Sequence, residues 1–138
     1  MRIRSYLTDK DGFVGYYGAD SPVVKDVSEY IENISKFIND HPLSKNICLY
    51  RMVMDSHSNP FFSKLEEGDV YEDKSFSSSS MVILPQFGNF MIKILAKKGS
   101  NVANVNNMSE YEYLIDKGSK LRVIEKHKNG MGITVELL

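Results

Sequence analysis

The sequence is poor in several features that mark particular classes of protein. One cysteine in 138 residues excludes a fold held together by intrachain disulfides and fits a reducing compartment. No apolar run approaches the roughly 20 residues that a membrane-spanning helix needs, and the first residues lack the apolar stretch of a signal peptide. The net charge of −1 gives no basic excess for binding a nucleic acid. We therefore expect a cytoplasmic protein with no membrane or nucleic-acid partner.

Candidate metal ligands and thiol nucleophiles are also few. The histidines His41, His57 and His127 are far apart, and none has a second ligand at the spacing of a metal site. Cys48 lies in an apolar run, where a buried structural thiol is commoner than a nucleophile. The sequence thus predicts no metal site.

The overall composition is that of an ordinary folded protein. Apolar residues make up 42% of the chain and charged residues 25%, which argues against global disorder. A chain of this length can bury a core without disulfides or metals. We expect residues 1–138 to form one domain.

One long helix is predicted near the N-terminus. Ser21 followed by Pro22 is typical of an N-cap and a first helical residue. Apolar residues then recur at spacings of three and four, which predicts an amphipathic helix over residues 22–39. The helix should stop before Pro42. The glycines in residues 10–20 lack the spacing of a dinucleotide fingerprint and favour a turn or short hairpin.

The remainder of the chain favours β-structure. Breakers such as glycine and proline separate short apolar runs, and Asn129-Gly130 predicts a tight turn between the last two strands. No alternation of strands and helices is present, so we expect an α+β fold rather than a doubly wound parallel sheet. The predicted strands are residues 47–54, 76–84, 90–96, 111–115, 121–125 and 133–138.

Two glutamates form the first candidate functional pattern. Glu110 and Glu112 are separated by one residue, so on a strand they point to the same face, roughly 6–7 Å apart. Two carboxylates that close together are costly without a cationic or hydroxyl-bearing partner between them. A solvated strand edge could carry the same pattern, so it indicates a site only together with other motifs.

An arginine and a run of serines provide those partners. Arg51 interrupts an apolar strand, where burial without a partner is costly. It either extends to water or pairs with a structural carboxylate, or it presents its planar fork to a bound phosphate or carboxylate. The four serines of residues 77–80 are poor strand formers, and their hydroxyls can hold carboxylates and sugar hydroxyls in place. A cation, hydroxyls and two acids in this order suit an anionic sugar nucleotide.

The three motifs together resemble the arginine–serine–glutamate class of mono-ADP-ribosyltransferases. That class includes the enzymatic components of clostridial binary toxins, other bacterial exoenzymes and phage enzymes that modify host proteins. The resemblance extends over residues 20–138. Its motifs are Leu49-Tyr50-Arg51, Gly68-Asp69-Val70, Phe76-x-Ser78-Ser79-Ser80 and Glu110-x-Glu112, followed by the segment 114–123.

The resemblance implies a fold and a co-substrate. The fold would be ADP-ribosyltransferase-like, with an N-terminal helix and two small, mostly antiparallel sheets that flank an NAD cleft. NAD would be the co-substrate, and Arg51 would bind one of its phosphates. Tyr50, Ser78 and Ser80 would also contact NAD. Phe87 is a candidate for stacking on nicotinamide or for a structural role. The loop that carries Phe87 offers no arginine for a second phosphate contact.

The resemblance also implies the catalytic residues and the reaction. Glu112 would bind the ribose and stabilise the oxocarbenium ion as nicotinamide leaves. Ser78 would position Glu112. Glu110 matches the family's first glutamate, whose presence goes with arginine as the acceptor, so the expected partner is a host or target protein with an acceptor arginine.

Three positions depart from the family pattern. Ser79 stands where the family usually has threonine, Met52 stands where many members have glycine after the arginine, and Asn107 stands where many have an aromatic residue before the glutamates. Two other functions are compatible with these residues. An NAD glycohydrolase, in which water replaces the acceptor, would use the same cleft. A non-catalytic module that binds NAD or ADP-ribose would keep the fold, but it would not need the paired acids.

Overall fold

The computed structural model describes residues 2–105 and 112–138, which form helices followed by strands. The helices in these residues are α1 (Arg2–Thr8), α2 (Lys10–Tyr17) and α3 (Pro22–Asp40), with a short 3₁₀ turn at Pro85–Phe87. The strands are β1 (Ile47–Val53), β2 (Val70–Asp73), β3 (Ser77–Ser80), β4 (Phe90–Ala96), β5 (Val102–Asn104), β6 (Glu112–Ile115), β7 (Ser119–Lys126) and β8 (Gly132–Leu137).

Helix α3 confirms the predicted long helix. The Ser21 side chain caps it by accepting a hydrogen bond from the backbone N–H of Val23 at 3.2 Å, and Pro22 occupies its first turn. Its apolar stripe buries Val27, Ile31 and Ile38. None of the helices in the described ranges is long and apolar enough to span a membrane.

The prediction of a turn or hairpin over residues 10–20 is wrong, because most of this segment is helix α2. The side chain of Asp9 accepts a hydrogen bond from the backbone N–H of Gly12 at 3.1 Å and so caps the helix. Phe13 is buried and contacts Tyr6 of α1 edge to face. Gly18, at φ +93°, ends the helix. Tertiary burial of Phe13 and the Asp9 cap thus outweigh the low helix propensity of two glycines.

The strands form one hydrogen-bonded sheet in the order β2-β7-β8-β4-β1-β3-β6-β5. Strands β4 and β8 run parallel, and the other neighbours are antiparallel. A single paired position, Tyr50 opposite Ser80, joins β1 to β3. This narrow junction divides the sheet into a five-stranded part and a three-stranded part. The α+β prediction is confirmed, and the two expected sheets are the two parts of this one sheet.

Individual strand boundaries differ from the predictions in several places. Strand β4 has the predicted bounds, whereas β3 ends at Ser80 and the apolar residues 81–83 that follow are exposed. Strands β2 and β5 were not predicted; they have only four and three residues. The predicted turn at Asn129-Gly130 connects β7 to β8.

Two apolar clusters hold these elements together. The main core lies on the sheet, and a smaller one lies between the helices. Phe76, immediately before β3, packs against the smaller cluster and so joins the helices to the start of the serine run. The fully buried side chains of the main core include Leu49, Ile92, Ile94, Ile115, Ile133, Val102, Val123 and Val135. The small cluster consists of Tyr6, Phe13, Val27 and Ile31.

Candidate active site

A two-lobed cleft opens beside the junction between β1 and β3. Two cavities, of about 500 and 530 Å³, share the lining residues Arg4, Arg51, Met52 and Phe87, so they are adjoining lobes of one space. We call them the serine lobe and the aromatic lobe. The serine lobe is completed by Tyr50, Phe76, Ser78, Ser79, Ser80, Leu84 and Glu112. The aromatic lobe is completed by Thr8, Val53, Met54, Phe61, Phe62, Tyr71, Glu72, Asp73 and Lys74.

Arg51 lies where the two lobes meet, and its side chain is largely buried. Its Nη1 atom donates hydrogen bonds to Oδ2 of Asp73 at 2.8 Å and to Oγ of Ser77 at 3.1 Å. The hydroxyl of Ser77 also donates to the same carboxylate oxygen. The side chains of Arg51 and Asp73 are only 18% and 13% exposed, so this ion pair is well shielded from water.

The contacts that Asp73 makes with Ser77, Arg51 and Ser75 keep its carboxylate ionised. Burial by itself would raise the pKa of the Asp73 carboxyl. The hydrogen bond from Ser77, the positive charge of Arg51 and the backbone N–H of Ser75 outweigh burial, and the net effect is a lowered pKa. Asp73 therefore carries its negative charge over the whole physiological pH range.

Ser78 and Glu112 meet across neighbouring strands. Ser80 lies directly opposite Glu112 in the antiparallel pair of β3 and β6. Ser78 is two residues from Ser80 on the same face, which makes it the diagonal neighbour of Glu112. Its hydroxyl donates a hydrogen bond to Oε1 of Glu112 at 3.1 Å. The register of the two strands thus fixes the carboxylate at the wall of the serine lobe.

The alternation of the serine strand separates its hydroxyls into two groups. Ser77 turns toward Arg51, whereas Ser78 turns toward Glu112. The hydroxyl of Ser80 accepts a hydrogen bond from the backbone N–H of Val82 at 3.2 Å. The hydroxyl of Ser79 is buried and has no partner in the described part of the chain. A run of identical residues therefore performs different tasks at successive positions.

The structure brings the predicted site residues of the described ranges to one place. All of them line the serine lobe, although they come from β1, β3, β6 and the 3₁₀ turn. Glu110 lies outside the described residues. The residues that meet in the lobe are Tyr50, Arg51, Ser78, Ser80, Phe87 and Glu112.

Arg4 and Asp73 are charged residues of the cleft that sequence reasoning missed. Arg4, on helix α1, lines both lobes although it is far from Arg51 along the chain. Asp73 ends the short strand β2. Neither residue belongs to an element that the sequence patterns predicted. The one available signal was the cost of burying Arg51, which requires a carboxylate partner somewhere in the chain.

A third missed residue, Asp55, shapes the loop that borders the aromatic lobe. It is 9% exposed, and its carboxylate accepts hydrogen bonds from the backbone N–H groups of Phe61, Phe62 and Ser63. Burial raises its pKa, but these hydrogen bonds outweigh burial and lower the pKa overall. The loop therefore folds around a charged centre and places two aromatic rings at the cleft.

Comparison with known proteins relates this fold and cleft to one family. The model of a family described as ADP-ribosyltransferase exoenzyme matches residues 6–136. No curated protein matches the sequence.

Solved structures show the same fold at low sequence identity. The ADP-ribosylating toxin BECa of Clostridium perfringens, determined with NADH, has a TM-score of 0.73 at 22% identity over 99% of this chain. This chain spans 40% of the length of that toxin. The C3 exoenzyme of Clostridium limosum has a TM-score of 0.74 at 17% identity, over 99% of this chain and 78% of its own. C3stau2 of Staphylococcus aureus, determined with NAD, has a TM-score of 0.66 at 13% identity, over 100% and 85%.

Proposed function

Since the chain belongs to the ADP-ribosyltransferase exoenzyme family, we propose that it breaks the bond between nicotinamide and ribose in NAD and transfers ADP-ribose to an arginine of a target protein. The observation that carries this proposal is the hydrogen bond of 3.1 Å between Ser78 and Glu112 in a cleft that also contains Arg51. A carboxylate held beside a cationic group suits a substrate that has both a phosphate and a reacting sugar.

Glu112 is the residue that we assign to the chemical step. As the bond from the ribose carbon to nicotinamide breaks, the electron pair leaves with neutral nicotinamide and positive charge develops on the sugar. A fixed carboxylate stabilises that oxocarbenium-like charge, and stabilisation by a preorganised group is greatest where little water enters. The hydrogen bond from Ser78 orients the Glu112 carboxylate, which would reduce the reorganisation needed during the reaction.

The second step is attack by the acceptor. A guanidino nitrogen forms a bond to the sugar carbon and loses a proton. Glu110 would orient the acceptor and receive that proton, which is the role that its position in the family motif implies. Arginine is the acceptor that goes with a glutamate at this position in the family, and this is the basis for proposing it here.

The rest of the cleft is proposed to bind NAD. Arg51 would contact a phosphate, because its fork matches phosphate oxygens. Tyr50 and Ser80 line the same lobe and would contact the nicotinamide half. Phe87 is 63% exposed at the border of both lobes, and its ring would stack on nicotinamide.

The test is to incubate the protein with NAD and an excess of a small guanidino acceptor, measuring free nicotinamide and the mass of the acceptor together. Wild type should release nicotinamide and add ADP-ribose to the acceptor. Glu112→Gln should lower both rates by about a hundredfold to a thousandfold, since it removes the charge that stabilises the transition state. Glu125→Gln, at an exposed position of β7, is the matched control and should keep full activity.

Each other outcome identifies a different function. Nicotinamide release without a change in acceptor mass would favour an NAD glycohydrolase or a different acceptor side chain. Full activity of Glu112→Gln would refute the role of that residue. A wild-type protein that binds NAD without releasing nicotinamide would be the non-catalytic binding module.

A further inference from the structure

Strand order alone would place Asp73 far from Arg51. Strands β2 and β1 are at opposite ends of the five-stranded part of the sheet, in the order β2-β7-β8-β4-β1. Four steps of about 4.8 Å would separate them by roughly 19 Å in a flat sheet. The observed distance from Nη1 of Arg51 to Oδ2 of Asp73 is 2.8 Å. The five strands therefore curl, which brings β2 within reach of the long Arg51 side chain, and the ion pair bridges the two ends of this part of the sheet.

The connection from β2 to β3 favours the same curl. Strand β2 ends at Asp73, and β3 begins at Ser77 and pairs with β1. The four residue steps between these positions can span at most about 14 Å. A chain that leaves one end of the five-stranded part and enters a strand beside the other end therefore keeps those two ends closer than a flat sheet would. Asp73 and Ser77 border this crossing, and both contact Arg51.

The hydrogen bonds of Arg51 use one side of its guanidinium. Both protons of Nη1 have acceptors, Asp73 and Ser77. No hydrogen bond from Nε or Nη2 to a residue of the described ranges is present. An arginine can bind a phosphate in bidentate fashion through Nε–H and Nη2–H, and this edge remains available.

We propose that Asp73 is a positioning residue for NAD binding, which acts by fixing the plane of the Arg51 guanidinium so that its Nε–Nη2 edge meets a phosphate. This inference rests on the proposed function, because it presumes that Arg51 binds a phosphate of NAD. A long arginine side chain without such a partner would sample many rotamers, and ordering it would cost affinity each time the substrate binds. Ser77 has a smaller part in the same arrangement, because it donates to Asp73 and accepts from Arg51.

The experiment is a double-mutant cycle on Arg51 and Asp73, measuring the affinity of ADP-ribose by calorimetry and the kcat and KM for NAD. Asp73→Ala should weaken ADP-ribose binding and raise KM by about tenfold or more, the value of one charge-assisted contact. The value of kcat should change by less than about threefold, because the phosphate contact is the same in the ground state and the transition state. In the Arg51→Ala background, Asp73→Ala should have no further effect on affinity.

Controls separate positioning from a loss of structure. Glu136→Gln removes the carboxylate from another arginine pair of the same sheet, Arg122–Glu136 at 3.1 Å, and should leave KM unchanged. The inhibition constant of nicotinamide, which has no phosphate, should be the same for wild type and Asp73→Ala. If Asp73→Ala does not fold, Asp73→Asn replaces it in the cycle, and it should give an intermediate rise in KM because its amide oxygen still accepts from Nη1.

Three results would overturn the inference. If the effects of the Arg51 and Asp73 substitutions multiply, Asp73 acts through the fold and not through Arg51. Tighter binding by Asp73→Ala would mean that the carboxylate competes with the phosphate for Arg51. If wild type does not bind ADP-ribose, the proposed phosphate site at Arg51 does not exist. A wild type that binds ADP-ribose but releases no nicotinamide would contradict only the proposed function, and the cycle would still decide the role of Asp73.

Discussion

Two arginines from distant parts of the sequence line the cleft, and they are held differently. Arg51 is 18% exposed and fixed by Asp73 and Ser77. Arg4 is exposed, and the described residues include no hydrogen-bond or ion-pair partner for its guanidinium. A pyrophosphate carries two negative charges, and Arg51 shares its own charge with Asp73. Arg4 is therefore suited to provide the second positive charge that the loop around Phe87 lacks.

Removal of Arg4 should weaken NAD binding without affecting the chemical step. We expect Arg4→Ala to raise the KM for NAD by about twofold to fivefold, the value of one exposed charge contact. The difference from wild type should shrink as salt is added, because exposed charges are screened. Lys25→Ala, an equal change of charge on the exposed surface of α3, is the control. Equal values of KM for Arg4→Ala and wild type at low salt would exclude a phosphate contact by Arg4.

At the scale of elements, the conformation of the loop after β1, residues 54–63, depends on the side chain of Asp55. The carboxylate of Asp55 accepts hydrogen bonds from three backbone N–H groups. The Asn89 side chain accepts a hydrogen bond from the backbone N–H of Asp55 and donates one to the backbone C=O of Asp55. At Gly88, an added Cβ would overlap the backbone of Val53, so only glycine lets the residue after the 3₁₀ turn approach β1 so closely. The loops on both sides of the cleft are thus fixed to the end of β1.

Replacing the Asp55 carboxylate should destabilise the protein in a way that depends on pH. The lowered pKa of Asp55 in the folded state means that its contribution to stability is fully present above the unfolded-state pKa of 3.8 and is lost as pH falls through the folded-state value. We expect Asp55→Asn to lower the free energy of unfolding at pH 7 by about 2–3 kcal/mol, since backbone donors lose a charged acceptor. The difference from wild type should narrow below about pH 4.

Urea denaturation at pH 7 and at low pH measures this effect. The control is Asp69→Asn. Asp69 is exposed and accepts a single hydrogen bond, from the backbone N–H of Glu66 at 2.9 Å, so its substitution should cost less than about 1 kcal/mol. A difference between Asp55→Asn and wild type that stays constant with pH would show that the charge of Asp55 is not what stabilises the loop.

At the scale of the whole molecule, the cleft lies between two separately packed bodies of apolar side chains. The main core covers the sheet, and the small cluster holds α1 and α2 against α3. Arg4 belongs to the helical body, whereas Arg51 belongs to the sheet. Phe76 packs against the helical cluster and precedes the serine strand. The relative placement of the two arginines therefore depends on how well the small cluster is packed.

Loosening the small cluster should have the same effect on KM as the loss of Arg4. Phe13 is 7% exposed and contacts the rings of Tyr6 and Tyr17 at 5.5 and 4.7 Å between centroids. We expect Phe13→Leu to lower the free energy of unfolding by about 1–2 kcal/mol and to raise the KM for NAD with little change in kcat. Tyr30→Ala, at a side chain of α3 that is 65% exposed, is the control. A loss of stability with unchanged KM would show that the cluster does not place Arg4.

Local patterns in the sequence were sufficient to predict the strongly periodic helix α3 and to identify the candidate site motifs. The apolar stripe and the Ser21-Pro22 start define α3 because each acts through neighbours along the chain. The arginine, serine and glutamate motifs likewise display their cationic, hydroxyl and carboxylate groups in the sequence itself. The six predicted residues that the structure describes line one lobe. Such features depend on spacing within a few residues, which a sequence displays directly.

Tertiary structure alone decided what depends on contacts between distant residues. Helix α2 exists because Phe13 is buried against Tyr6, and short β2 is a strand because it pairs with β7. The curl of the sheet brings Asp73 to Arg51, and α1 brings Arg4 to the same cleft. The sequence indicated that Arg51, if buried, needs an anionic partner, because an unpaired buried charge is too costly. Only the folded chain determined which of its 18 acidic residues is that partner, since pairing follows distance in space and not separation along the chain.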